Sequence, residues 1–199
     1  IGITRLQVEN SFIDYFDDST EIYQGMVAID QNMGGTTPLD VIIDMRPPNP
    51  FDEGQAEADF GDDPFAEDEY FDEFDDFGEE EEGDAAAYWF TSDKMQEIIA
   101  IHDYLDALPE TGKVLSLATL LNIAYELNED EPLNSIELAM LYNKIPDSYK
   151  ESLLKPYVSV ADDQIRFSIR VLETSEGLVR ADLLKNIRQG LSEEFGYSG

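Results

Sequence analysis

No cysteine occurs in this chain of 199 residues, which excludes disulfides, iron–sulfur clusters and cysteine-ligated zinc. That absence fits any compartment and identifies none. Positive charge is also scarce. Only 12 Lys and Arg stand against 45 Asp and Glu, a formal net charge of -33. A field of that sign repels nucleic acid and anionic membrane surfaces, so neither is expected as a direct partner. The single histidine, His102, has no Cys and no second His to share a metal with. Catalytic zinc ordinarily takes three protein ligands, so His102 is expected on the surface or at the core edge of a helix. No run of about 18 apolar residues exists, and the chain is not expected to span a bilayer by itself. No basic segment precedes an apolar stretch, which argues against a signal peptide. The G-x-S-x-G elbow, the Walker A loop and the dinucleotide glycine fingerprint are all missing. Carboxylate pairs will arise by chance, but none has a context that would set one pKa against another. No catalytic residue, cofactor site or metal site is assigned, and an enzyme is not expected.

What the chain does have is an uneven distribution of acid. From Asp52 to Asp84, 18 of 33 residues are Asp or Glu, and none is Lys or Arg. Gly54, Gly61, Pro64, Gly78 and Gly83 interrupt any regular element there. Like charge and breakers predict disorder. Residues 46–85 are therefore read as an acidic insertion, and 1–45 plus 86–199 as one folded domain. The insertion lacks the D-x-[DN]-x-[DN]-G spacing of a calcium loop, so weak, diffuse Ca²⁺ binding is the most its carboxylates predict.

The flanks read as ordinary folded sequence. Thr4 to Glu9 alternates like a short strand. Asp18 and Glu21 suggest a capping box, after which Ile22, Met26, Ile29 and Met33 mark one helical face. Gly34-Gly35 ends that helix. Leu39 to Met45 is a buried-type strand, stopped by Pro47, Pro48 and Pro50. Tyr88-Trp89-Phe90 reads as a short aromatic strand, and Thr91 or Ser92 can cap a helix reaching Leu108. Val114 to Leu117 closes the series as a strand. The order β-α-β-β-α-β predicts an α+β fold with a ferredoxin-like split βαβ sheet, the insertion lying in its β2–β3 hairpin. Leu39–Met45 and Tyr88–Phe90 should then be antiparallel neighbours, with both helices on one face of the sheet. Lengthening a hairpin loop costs little entropy, so the fold can carry the insertion.

Three short helices should follow: Ala118 to Leu127, Ser135 to Lys144 and Pro146 to Leu154. Asn134 and Glu137 have capping-box spacing before the second. Tyr157 to Val160 and Gln164 to Leu172 read as a hairpin. In the latter Ile165, Phe167, Ile169 and Val171 alternate with Arg166, Ser168 and Arg170, which buries one face. Leu178, Val179, Leu183, Leu184, Ile187 and Leu191 give the stripe of a last helix. That ββα unit lacks a closing strand. The chain opens at Ile1 without an initiator Met, and the reading is a piece cut from a larger protein.

Several ordered segments carry a resemblance. Val8-Glu9-Asn10-Ser11 with Tyr15-Phe16, Gly34-Gly35-Thr36-Thr37-Pro38-Leu39-Asp40-Val41, Tyr88-Trp89-Phe90-Thr91, Tyr104-Leu105 and Gly112-Lys113-Val114-Leu115-Ser116-Leu117-Ala118 follow one another in the expected order. Together they resemble the first extracytoplasmic loop of exporters of the resistance-nodulation-division (RND) superfamily, of the mycobacterial-membrane-protein-large (MMPL) and hopanoid-transporter type. The likeness covers about 1–45 and 87–195. It implies a porter-type domain between transmembrane helices 1 and 2 of a proton-driven transporter in a bacterial inner membrane, facing the periplasm. The implied partners are the rest of that transporter, a second extracytoplasmic domain, a lipophilic or amphipathic small molecule, and further copies in a homo-oligomer. The family's proton-relay carboxylates lie in membrane helices and have no counterpart here. The acidic insertion departs from the family pattern and inherits no role from it.

Two readings of function remain at this point. One is the transporter domain, with Tyr88, Trp89 and Phe90 as candidates to line a hydrophobic substrate path, although an aromatic strand is more often plain core. The other is a free-standing acidic module that captures a basic protein. Apolar helices encoded on both sides of the chain would favour the first, and polar linkers the second.

Overall fold

The computed structural model describes residues 13–46, 89–129, 131–175 and 177–197. The expected strand at Thr4–Glu9, the acidic segment and Tyr88 lie outside them. The fold is α+β; the described residues form six helices and an open antiparallel sheet of four strands.

A 3-10 turn at Ile13–Tyr15 leads to helix α1, Glu21–Met33. Its cap is Thr20, whose hydroxyl accepts from the Tyr23 amide at 3.2 Å, and not Asp18 as the spacing suggested. Asp17 explains the difference. Its carboxylate accepts from the Ser19 amide and hydroxyl, and its carbonyl from Thr20 Oγ1, so a tight turn delays the helix. Gly34 ends α1 in the left-handed region at φ 76°.

Strand β1 is Thr37–Asp44. Helix α2, Ser92–Asp106, is capped by Thr91 and followed by strand β2, Thr111–Leu115. Three helical pieces come next: α3 at Leu117–Leu127, α4 at Ser135–Lys144, and α5 at Asp147–Tyr149, which runs into a π turn at Lys150–Leu154. Asn134 and Glu137 form the expected capping box on α4. Strands β3, Val158–Ser159, and β4, Gln164–Val171, precede the last helix, α6, Arg180–Phe195.

The centre of the sheet is β4. It pairs antiparallel with β1 from Thr37↔Val171 to Asp44↔Gln164. On its other edge it pairs with β2 through Val114↔Ile169 and, farther along, with β3 through Val158↔Ile165. Since β1 and β2 both oppose β4, they run parallel to each other with β4 between them. β1, α2 and β2 thus form a split βαβ unit, but its middle strand comes from the late hairpin. Trp89 and Phe90 do not join a strand. Trp89 is helical, Phe90 is irregular, and the neighbour of Leu39–Ile43 is Ile165–Ile169.

The core lies on one face of the sheet. Ile43, Val114, Ile165, Phe167, Ile169 and Val171 meet Met95, Ile98, Ile101 and Leu105 of α2 and Leu183, Ile187 and Leu191 of α6. Phe167 is fully buried while Arg166 and Arg170 are exposed, as the alternation requires. α6 lies beside α2, where a Cβ on Gly190 would meet the Tyr104 hydroxyl.

α1 departs from expectation. Its stripe is not core: Ile22, Ile29 and Met33 are 57%, 50% and 57% exposed. Its one buried residue is Asp30, whose carboxylate accepts from Thr36 Oγ1 (2.7 Å), Thr174 Oγ1 (2.8 Å) and the amides of Thr174 (2.9 Å) and Glu173 (3.2 Å). Polar bonds, not apolar burial, tie this helix to the loop after β4. Burial opposes ionisation of Asp30, but those hydrogen bonds outweigh it and hold the carboxyl below its ordinary range.

Candidate functional site

The aromatic pair Trp89-Phe90 joins the sheet to the helical segment. Trp89 is 8% exposed, and its indole Nε1 donates to Asp163 Oδ1 in the β3–β4 turn. Lys94 Nζ donates to the same oxygen at 2.7 Å and stands 4.6 Å from the indole centroid. Cation, ring and carboxylate thus fix the start of α2 against that turn. A partly buried arrangement of this kind satisfies every charge it covers. It also shows why β propensity fails here. The indole is held from the β3–β4 turn, and among the described residues no strand pairs with the backbone at Trp89.

Phe90 points the other way along the chain of rings. It meets Trp89 edge-on at 5.0 Å and stacks on Tyr142 of α4 at 4.8 Å, with 29° between the planes. Lys150 lies 4.4 Å over the other ring, Tyr142. Phe90 forms part of an apolar pocket of about 140 Å³. Leu117, Leu121 and Ala124 of α3 make one wall, Leu138 and Tyr142 of α4 another, and Leu154 of the π turn helps to close it. All eleven lining residues are apolar or aromatic. At the rim, Leu141 and Leu153 are 40% and 46% exposed. An apolar cavity of ~150 Å³ is large enough for a benzene-sized guest.

Of the expected path residues, Phe90 reaches this pocket, Trp89 does not line it, and Tyr88 lies outside the described residues. The leucines of α3 and α4 were not singled out from sequence. Their signal was present in the spacing of Leu117, Leu121 and Ala124 and of Leu138, Leu141 and Ile145, which also fits plain helix packing.

The start of α3 is held by a buried cap. Ser116 is fully buried, caps α3 by accepting from the Ala118 amide at 3.1 Å, and lies 2.9 Å from His102 Nδ1. His102 is therefore a core-edge helix residue tied to a cap. Burial lowers its pKa, against the opposing pull of Asp106 and Asp103. Among the described residues no group of three or more His, Cys, Asp or Glu is placed to hold a metal ion. Among them too, no helix is long and apolar enough to cross a membrane. Set against models of protein families, curated proteins and solved structures, the chain finds no match.

Proposed function

We propose that this chain is an extracytoplasmic, porter-type domain of an RND-type exporter, and that the pocket beside Phe90 receives the lipophilic part of the cargo. The observation that carries the reading is that pocket: lined by aliphatic and aromatic side chains, open at one side, and walled by α3, α4 and the π turn. A ligand site of this kind buries a hydrocarbon group without needing a polar partner. The arrangement of β1, α2 and β2 around β4, followed by α6, supports the reading, because a porter subdomain is expected to have a ferredoxin-like split βαβ plan. The ordered segments Gly34–Val41 and Gly112–Ala118 supply the family likeness. The mechanism is conformational. Motion of α3 and α4 relative to Phe90 widens or closes the pocket as membrane helices elsewhere in the transporter cycle. The reading assigns the domain no catalytic step and places it on the periplasmic side of a bacterial inner membrane.

Trp89 is the only tryptophan, which makes the test direct. The neutral probe N-phenyl-1-naphthylamine, titrated into the chain, should show saturable energy transfer from Trp89. Ala124→Leu fills the pocket and should abolish that transfer while leaving the far-ultraviolet circular dichroism unchanged. Absence of saturable transfer to the wild-type chain would overturn the pocket assignment. The transporter assignment has a separate test in the flanking coding sequence. In-frame apolar helices of ~20 residues on both sides are expected, and polar linkers there would refute it.

A further inference from the structure

The second groove lies on the face of the sheet turned away from the core. Lys113 of β2 and Arg170 of β4 are direct register partners, and both are exposed. Their neighbours Val114, Ile169 and Val171 point into the core, so pleating sends both cations to the opposite face. Like charges placed directly opposite on a ladder are destabilising. In a chain with 45 acidic residues a neutralising partner would be easy to supply. Arg166, on the same face, has one: Asp40 accepts from it at 2.7 Å. Among the described residues, no ion pair engages Lys113 or Arg170.

Beside the two cations is a groove of about 600 Å³, lined also by Gln31, Met33, Gly34 and Gly112. The ladder shifts register between Thr111 and Lys113, which makes Gly112 the extra residue of a bulge. Gly112 and Gly34 present bare backbone there. The result is a recess with two positive groups on its rim that meet no acidic partner among the described residues.

We propose that this groove binds an anionic group of the phosphate or carboxylate kind, held between Lys113 Nζ and the Arg170 guanidinium. The net charge of -33 repels anions at long range, so an anion reaches this face only if the paired cations outweigh that field locally. An amphiphile's headgroup and a free anion share this chemistry. Met33 at the rim, with Ile29 one turn back on the same exposed stripe, provides apolar surface that only the amphiphile would use. The site is separate from the pocket at Phe90, and either can fail without the other.

The test uses the isotopically labelled full chain and two probes: inorganic phosphate, and dodecyl phosphate below its micelle concentration. Both should move the Gly34 and Gly112 amide resonances saturably. Lys113→Gln and Arg170→Gln should each weaken binding by about tenfold or more, the usual worth of a charged hydrogen bond. Lys113→Arg, which keeps the charge, should retain it and guards against a folding defect in the first variant. Tighter binding of dodecyl phosphate, with shifts at the Met33 and Ile29 methyls, identifies a lipid-type headgroup. Equal affinity for both probes identifies a free anion. No saturable shift with either probe, or unchanged affinity in both glutamine variants, overturns the proposal.

Discussion

Gly112 sits so close to Gly34 that a Cβ added to it would lie 2.4 Å from the Gly34 carbonyl carbon. The end of α1 and the bulge of β2 therefore meet backbone to backbone, and no side chain fits between them. Gly112→Ala forces the two elements apart and should cost about 1–3 kcal/mol, the usual range for overpacking. Gly25, inside α1, has nothing within 4 Å of its notional Cβ. Gly25→Ala should instead stabilise by about 0.5–1 kcal/mol through helix propensity. Urea unfolding of the two variants should move the midpoint in opposite directions. A neutral Gly112→Ala would mean that α1 does not dock as described.

Asp30 makes α1 sensitive to acid. Its folded carboxyl titrates below the ordinary value of 3.8. On acidification the unfolded chain therefore takes up this proton first. The stabilisation is complete above the unfolded value and is lost as pH falls through the folded one. Asp30→Asn leaves the buried donors of Thr174 facing an amide and should cost about 1–3 kcal/mol at neutral pH. Other carboxylates titrate over the same range, so the informative quantity is the difference between wild type and variant. That difference should shrink as the pH falls from about 6 toward about 3, through the range where carboxylates titrate. A constant difference would remove the ionised Asp30 from the account.

His102 should show the opposite chemistry with the same sign. Folding disfavours its protonated form, so its folded pKa lies below 6.5. Stability is full above the unfolded value and declines as pH drops through 6.5 toward the folded value. As the only histidine, it gives a single imidazole signal to follow. A midpoint for that signal at or above 6.5 would contradict the burial seen here. Ser116→Ala removes the α3 cap and should cost about 0.5–2 kcal/mol.

The acidic segment admits a test independent of its structure. Replacing Asp52–Asp84 with a short Gly/Ser linker removes 18 of the 45 acidic residues. The remaining domain loses a repelling neighbour, so its thermal midpoint should stay or rise. Unfolding of the shortened chain would show that the segment belongs to the fold.

Local elements were readable where local chemistry decides them. The alternation around Phe167 placed β4 and its buried face, and Asn134 with Glu137 placed the start of α4. The three helical pieces after β2 also fall where their spacing put them. What pairs with what was not readable, because register depends on residues far apart in sequence. Nothing near Leu39 announces that Ile169 will be its partner. The stripe of α1 misled for a related reason: periodicity shows that a face is apolar, not that another element covers it. Trp89 misled because its partners, Asp163 and Lys94, come from a distant turn and the next helix. The pocket at Phe90 needs three helices in place before it exists, and the groove at Lys113 needs a bulge that its sequence does not signal.

The position of β4 at the heart of the sheet has a temporal consequence. Among the described residues β1 pairs only with β4, and residue 37 faces residue 171, so that ladder forms only after the chain has been made as far as β4. During synthesis, β1, α2 and β2 emerge long before the strand that joins them. Early helices can form, but cooperative collapse must wait for the late hairpin. Such non-local pairing slows folding and leaves strand edges open in the interval. A dense like charge carried by the chain over that interval would keep the waiting edges of neighbouring molecules apart.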